Sequence, residues 1–223
     1  METLKEVYEK HTEGLKALYA ELENNNLYDG CSYPLLLSTW DGDRTPKAMF
    51  FGQETNGWGN DEAGNSIDGL MEHYCNFNLG EEYNTLFWKY FRLLSSKLGL
   101  QGNHPVLWNN INKIGKLKGK GRPNYQVTEL ENKHFNVLAD ELETIKPIVC
   151  VFFTGPNYDD DIRAKLHDDV EFLPIDGYDV RWFARLKSKH LPENSFRTYH
   201  PGYGNREYDW YQGVLDKIAE FCK

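Results

Sequence analysis

Apolar residues along this chain follow two rhythms. In some stretches they recur every three or four positions, as on one face of a helix. In others they run unbroken between turn residues, as in a buried strand. Residues 2–23 belong to the first kind: Leu4, Val7, Tyr8, His11, Leu15, Leu18, Tyr19 and Leu22 draw one stripe, which predicts a helix ending at Asn24-Asn25-Asn26. His11 lies on that stripe and reads as a core histidine rather than a ligand. Tyr83, Leu86, Phe87, Tyr90, Leu93, Leu94 and Leu98 predict a second helix over 81–98, with Gly99 as its C-terminal cap. A third is predicted over 128–145, where Thr128 and Glu131 fit a capping box. A short acidic helix over 157–166 and a terminal helix from about 206 to 221 complete the set.

Strands are predicted at 48–51, 106–111, 148–153 and 196–199; the first and third are unbroken apolar runs, while Asn109-Asn110 and Arg197-Thr198 interrupt the other two. Continuous apolar runs of this kind mark strands covered on both faces. Residues 170–187 fit a strand followed by a hairpin or a short helix, and the pattern does not choose. Strands alternating with helices predict an α/β fold: three α/β/α layers around a central, mostly parallel four-stranded sheet. The expectation is a single α/β domain over 1–223, with its core at about 45–222. Right-handed crossovers then bring every strand's carboxyl end to one rim, where such sheets hold ligands. Glu54, Asn110, Gly155 and His200 would gather there.

Composition narrows the function. A formal charge of −9 argues against a large non-specific nucleic-acid interface. The dense basic stretch is Lys113, Lys116, Lys118, Lys120 and Arg122, broken by Gly115, Gly119 and Gly121; it reads as a solvated linker or as a phosphate-binding loop. Aromatic residues make up 14%, which suits core packing or the stacking of a ligand ring. The longest apolar runs are far short of the roughly twenty residues of a membrane span. The first residues lack an export signal, and Cys31, Cys75, Cys150 and Cys222 are too scattered for a CxxC pair. A cytoplasmic monomer without metal or cofactor is expected.

The rim residues suggest a chemistry. A carboxylate takes a proton from water or stabilises a cation. An amide offers both a donor and an acceptor to a ring edge. A neutral histidine donates to an oxygen that gains negative charge. Together they suit cleavage of a sugar from a heterocyclic leaving group, which passes through a cationic sugar and expels an anionic base. The adjacent Asn109-Asn110 is a placed site or a simple Asx turn.

Four motifs resemble the uracil-DNA glycosylase superfamily in order and spacing: Gly52-Gln53-Glu54, Asn110-Ile111-Asn112-Lys113, Phe153-Thr154-Gly155 and His200-Pro201-Gly202. Lys146-Pro147-Ile148-Val149 is similar too, and the likeness covers roughly 45–220. It implies that the protein hydrolyses the N-glycosidic bond of uracil or a related damaged base in DNA. Gly52 and Gln53 would supply backbone contacts to the pyrimidine, and Glu54 would handle the attacking water. Asn110, or Asn109 with the register shifted by one, would read the base edge, and Trp58 would stack on it. His200 would donate to the anionic oxygen. Tyr203 and Arg206, in the loop that follows, would fill the gap left by the flipped nucleotide. If the basic loop binds phosphate, Lys116, Lys118 and Lys120 would meet the DNA backbone.

The chain departs from that family by Thr55-Asn56 where members carry proline, and by its acidic charge. These departures favour an alternative, a non-catalytic module binding a nucleobase, a nucleotide or a partner protein. A weaker option is a hydrolase of small nucleosides.

Overall fold

The four predicted strands lie side by side in one sheet. The computed structural model describes residues 2–40, 46–59, 66–204 and 207–223. In it β1 (Ala48–Gly52), β2 (Val106–Asn110), β3 (Val149–Phe153) and β6 (Asn194–Thr198) lie in the order β2-β1-β3-β6, all parallel. Every residue of β1, β2 and β3 is buried, because helices cover both faces. Phe50 of β1 packs edge-on to Phe91 of α4 (Leu86–Lys97), and Tyr90 of α4 meets Tyr211 of α8 (Tyr208–Phe221). On the opposite face Asn109 reaches Glu141 of α6 (Leu138–Ile145), which also receives Tyr8 of α1 (Leu4–Lys10).

The sheet has six strands, not four, and it is mixed. β5 (Phe183–Lys187) pairs antiparallel to β6, and β4 (Glu171–Pro174) antiparallel to β5. Both come from the stretch whose pattern did not choose. β4 is a four-residue edge strand with two exposed and two half-buried residues, too short to show alternation.

Two helices expected to be continuous are broken. The N-terminal stripe is split at His11 into α1 and α2 (Thr12–Asn24), the Thr12 hydroxyl donating back to the Glu9 carbonyl. The halves serve different neighbours: α1 packs on α6, and α2 on α5 (Tyr125–His134). His11 is half-buried and bonds Asp140 at 2.7 Å. The segment expected as 128–145 is α5 and α6 with a break at 135–137, where Phe135 is fully buried. Asn124, not Thr128, caps α5. Glu131 is no capping residue; it is buried and accepts the Lys113 and Ile114 amides and the Lys165 ammonium.

A helix without a sequence expectation, α3 (Ile67–Phe77), starts at Ser66, whose hydroxyl accepts the Gly69 amide. α4 begins later than expected, at Leu86, and ends as expected: Gly99 adopts φ +67° and the Leu100 amide reaches the Ser95 carbonyl at 2.8 Å. The acidic segment is α7 (Asp159–Lys165), preceded by one turn of tighter helix. No helix among the described residues is long and apolar enough to cross a membrane.

Candidate functional site

β1 ends at Gly52, and its chain enters a loop that lines a cleft of about 620 Å³. The cleft is walled by this loop from Gln53 to Gly59, by Asn110 and Trp108 of β2, by His200 beyond β6, and by Phe87 and Trp88 of α4. Of the residues expected at the rim, Glu54, Asn110 and His200 all line it, as do Gly52, Gln53, Trp58 and Lys120.

Each is held in a specific way. Gly52 sits opposite Asn110 in the strand register, and a side chain there would place Cβ 2.5 Å from Asn110 Oδ1. Only glycine allows that approach. Trp108 Nε1 donates to Asn110 Oδ1 at 3.2 Å. An indole N–H can only donate, so this contact fixes which way the amide faces. Asn110 Nδ2 is left buried and without a partner among the described residues. An unmet buried donor is uncommon in a folded core and marks a place for an acceptor. Gln53 spends its side chain on structure, its Nε2 donating to the Thr154 carbonyl at 2.7 Å, which ties β1's end to β3's.

His200 accepts a hydrogen bond at Nδ1 from the Gly202 amide, 3.0 Å away. That nitrogen therefore carries no proton, and the neutral ring is protonated at Nε2. Burial lowers the His200 pKa to about 4, so the ring is neutral at physiological pH. Phe87 lies parallel to it at 5.7 Å between centroids.

Glu54 is half-buried, with Oε2 accepting the Tyr158 hydroxyl at 2.6 Å. Burial raises its pKa above the ordinary carboxylate value, against the pull of Tyr158, Arg122 and Lys116; Asp161 adds to the rise. Burial and the Glu54 carboxylate likewise push the Tyr158 hydroxyl far up, so it remains a donor.

Other expected residues stand elsewhere. Asn109 faces the opposite side of the sheet, bonded to Glu141 and Lys113, and does not reach the cleft. Successive strand residues point to opposite faces, so Asn110 lines the cleft and Asn109 does not. Gly155 does not line the cleft; its amide donates to the Thr198 carbonyl at 2.9 Å. Trp58 lines the cleft but is 5% exposed, its ring edge-on to His73, Phe77 and Trp108, so it is wall rather than open platform. Lys113 is no part of a surface patch: its ammonium is buried against Glu141 at 2.7 Å. Lys118 and Lys120 are exposed, and Lys116 is half-buried with its ammonium near the Lys120 carbonyl. Tyr203 is 40% exposed and stacks on Tyr199 at 4.6 Å, outside the cleft lining. Arg206 lies outside the described residues.

Sequence reading missed His73 and Phe77, both from α3, and assigned no role to Phe87 or Tyr158. Ile67, Leu70, Met71 and Tyr74 carry a helical spacing that would have predicted α3. Nothing in the sequence pairs Tyr158 with a carboxylate 104 positions away. No family model matches the chain, and neither does any curated protein compared with it.

Proposed function

We propose that the cleft hydrolyses the N-glycosidic bond of uracil or a related damaged base in DNA. The observation that carries this reading is His200: an imidazole neutral by burial, its Nδ1 occupied by the Gly202 amide and its proton on Nε2, in the same cleft as a carboxylate. When the bond to the sugar breaks, its electron pair goes to the base and negative charge grows on a ring carbonyl oxygen. An Nε2–H donor stabilises that oxygen without giving up its proton. The sugar becomes cationic, and the Glu54 carboxylate favours it electrostatically. Glu54 then takes a proton from the water whose oxygen bonds to the sugar carbon. The raised pKa makes it a better base than an exposed glutamate. The unmet Asn110 Nδ2 supports selection of a carbonyl over an amino group on the base edge. The four-motif resemblance to the uracil-DNA glycosylase superfamily supports the same reaction.

The test is release of free base from oligonucleotides containing uracil, hypoxanthine or xanthine. Release from at least one is expected; none from any overturns the activity. A second reading has its own support: buried donors at Asn110 and Trp58 that no described residue meets favour binding a base whether or not chemistry follows. Thermal stabilisation by free bases without turnover would favour a binding module.

A further inference from the structure

Tyr158 and Arg122 are not among the residues with a role in the reading above. Tyr158 lies beyond the end of β3, is 7% exposed, and gives its hydroxyl hydrogen to Glu54 Oε2 at 2.6 Å. The Arg122 guanidinium carbon sits 4.1 Å from the centre of the Tyr158 ring. Arg122 is itself clamped: Nη2 donates to Asp161 Oδ2 at 2.7 Å and to the Asn157 carbonyl at 3.0 Å, and Nη1 to Asp161 Oδ1 at 3.2 Å. Asp161 is 4% exposed and takes one more donor, Asn112 Nδ2, at 3.3 Å. A forked, planar cation over an aromatic face, paired with a buried carboxylate, is a geometry lysine cannot reproduce.

We infer that Tyr158, held in place by Arg122, is the positioning residue of Glu54, gripping its Oε2 oxygen. Oε1 has no hydrogen-bond partner among the described residues, and on this inference it is the oxygen that meets water or ligand. The inference deepens the proposed reaction and rests on Glu54 as the group that handles water. Arg122 also ends the basic loop, and the preceding Lys120 and Gly121 line the cleft. Seating of that loop and orientation of the carboxylate therefore share one side chain. The charged and titratable groups that bear on Glu54 are Tyr158, Arg122 and Lys116, which favour its anion, and Asp161, which opposes it.

The test reads Glu54 without substrate. Carbon-13 NMR titration of glutamate-labelled protein gives the midpoint of its ionisation, with Glu54→Gln assigning the signal. A hydrogen bond to a charged group contributes about 1.5–3 kcal/mol, so Tyr158→Phe should raise the midpoint by about one pH unit or more. Arg122→Ala should raise it as well, and Arg122→Lys should restore only part of the difference. Midpoints equal to wild type in both Tyr158→Phe and Arg122→Ala overturn the inference, whatever the activity. Shifted midpoints in a protein that releases no base uphold the positioning and overturn the reaction. Where base release is measurable, Tyr158→Phe should move the acid limb of kcat upward with KM unchanged.

Discussion

A proton on one ring nitrogen decides what His200 can do. With Nδ1 accepting from the Gly202 amide, the ring offers only a donor to the cleft. His200→Ala should lower base release by roughly 10²-fold or more, as loss of a preorganised donor does elsewhere. Its ionisation also sets a stability trend. The His200 pKa falls from an ordinary 6.5 to about 4 on folding, so between these values the unfolded chain holds the extra proton. Its contribution to stability is full above pH 6.5 and is lost as pH falls toward 4. Melting curves of wild type and His200→Ala should therefore converge over that window; a constant difference would contradict a buried neutral ring. Glu54 has the opposite sign. Its folded pKa is raised, so the charge weakens the fold at neutral pH and is relieved on acidification. Glu54→Gln should raise Tm at pH 7 while lowering base release by roughly 10²-fold or more, and the gain should fade as pH falls through the Glu54 midpoint. A lower Tm for that variant at neutral pH would mean its partners outweigh burial.

One strand shows how side chains one position apart acquire unrelated duties. β2 sends Trp108 and Asn110 to the cleft and Asn109 to a buried network. In that network Lys113 Nζ donates to both oxygens of Glu141 at 2.7 Å and to Asn109 Oδ1 at 2.6 Å, while Tyr8 donates to Glu141 at 2.6 Å. Lys113 is 2% exposed and Glu141 fully buried, so removing the ammonium strands a charge inside the protein. Lys113→Ala should cost about 3–5 kcal/mol in urea unfolding. A loss below about 1 kcal/mol would place the lysine in water after all. The same network shows what a sequence reveals and what it hides. β1 and β3 were legible because burial on both faces writes an unbroken apolar run, while β2 and β6, which carry Asn109-Asn110 and Arg197-Thr198, were legible from their place in the alternation of strands and helices. The gathering of Glu54, Asn110 and His200 followed from the common polarity of those strands. Lys113 read as one more loop cation because its partner stands 28 positions later. The breaks at His11 and Phe135 were invisible because the apolar stripe continues through each, and only the neighbours decide where a helix turns. Asn109 and Asn110 differ by one register position, which composition cannot resolve.

Over the whole molecule, charge sets the terms on which DNA could approach. The chain carries a formal −9, and its loop cations at the cleft are few: Lys116, Lys118 and Lys120, of which Lys120 lines the cleft. If all three neutralise phosphates, binding to a single strand should weaken with salt at a log–log slope of about −2, far shallower than the roughly −10 of a protein with an extended basic face. Extruding a base from a duplex needs a few kcal/mol of unpairing and unstacking energy, which a protein must supply through contacts. With so few cations beside the cleft, the proposed reaction should run on uracil in single strands and mismatches ahead of fully paired duplex. The measurement is base release from one uracil oligonucleotide, alone and annealed to its complement, with anisotropy titrations at several salt concentrations. Replacing the three lysines by glutamine should remove most of the salt dependence and weaken single-strand binding, while cleavage of a free nucleoside, where it occurs, should be unchanged. Faster release from duplex, or a steep salt slope that survives the triple substitution, would show that DNA is held on a surface other than the rim of this cleft.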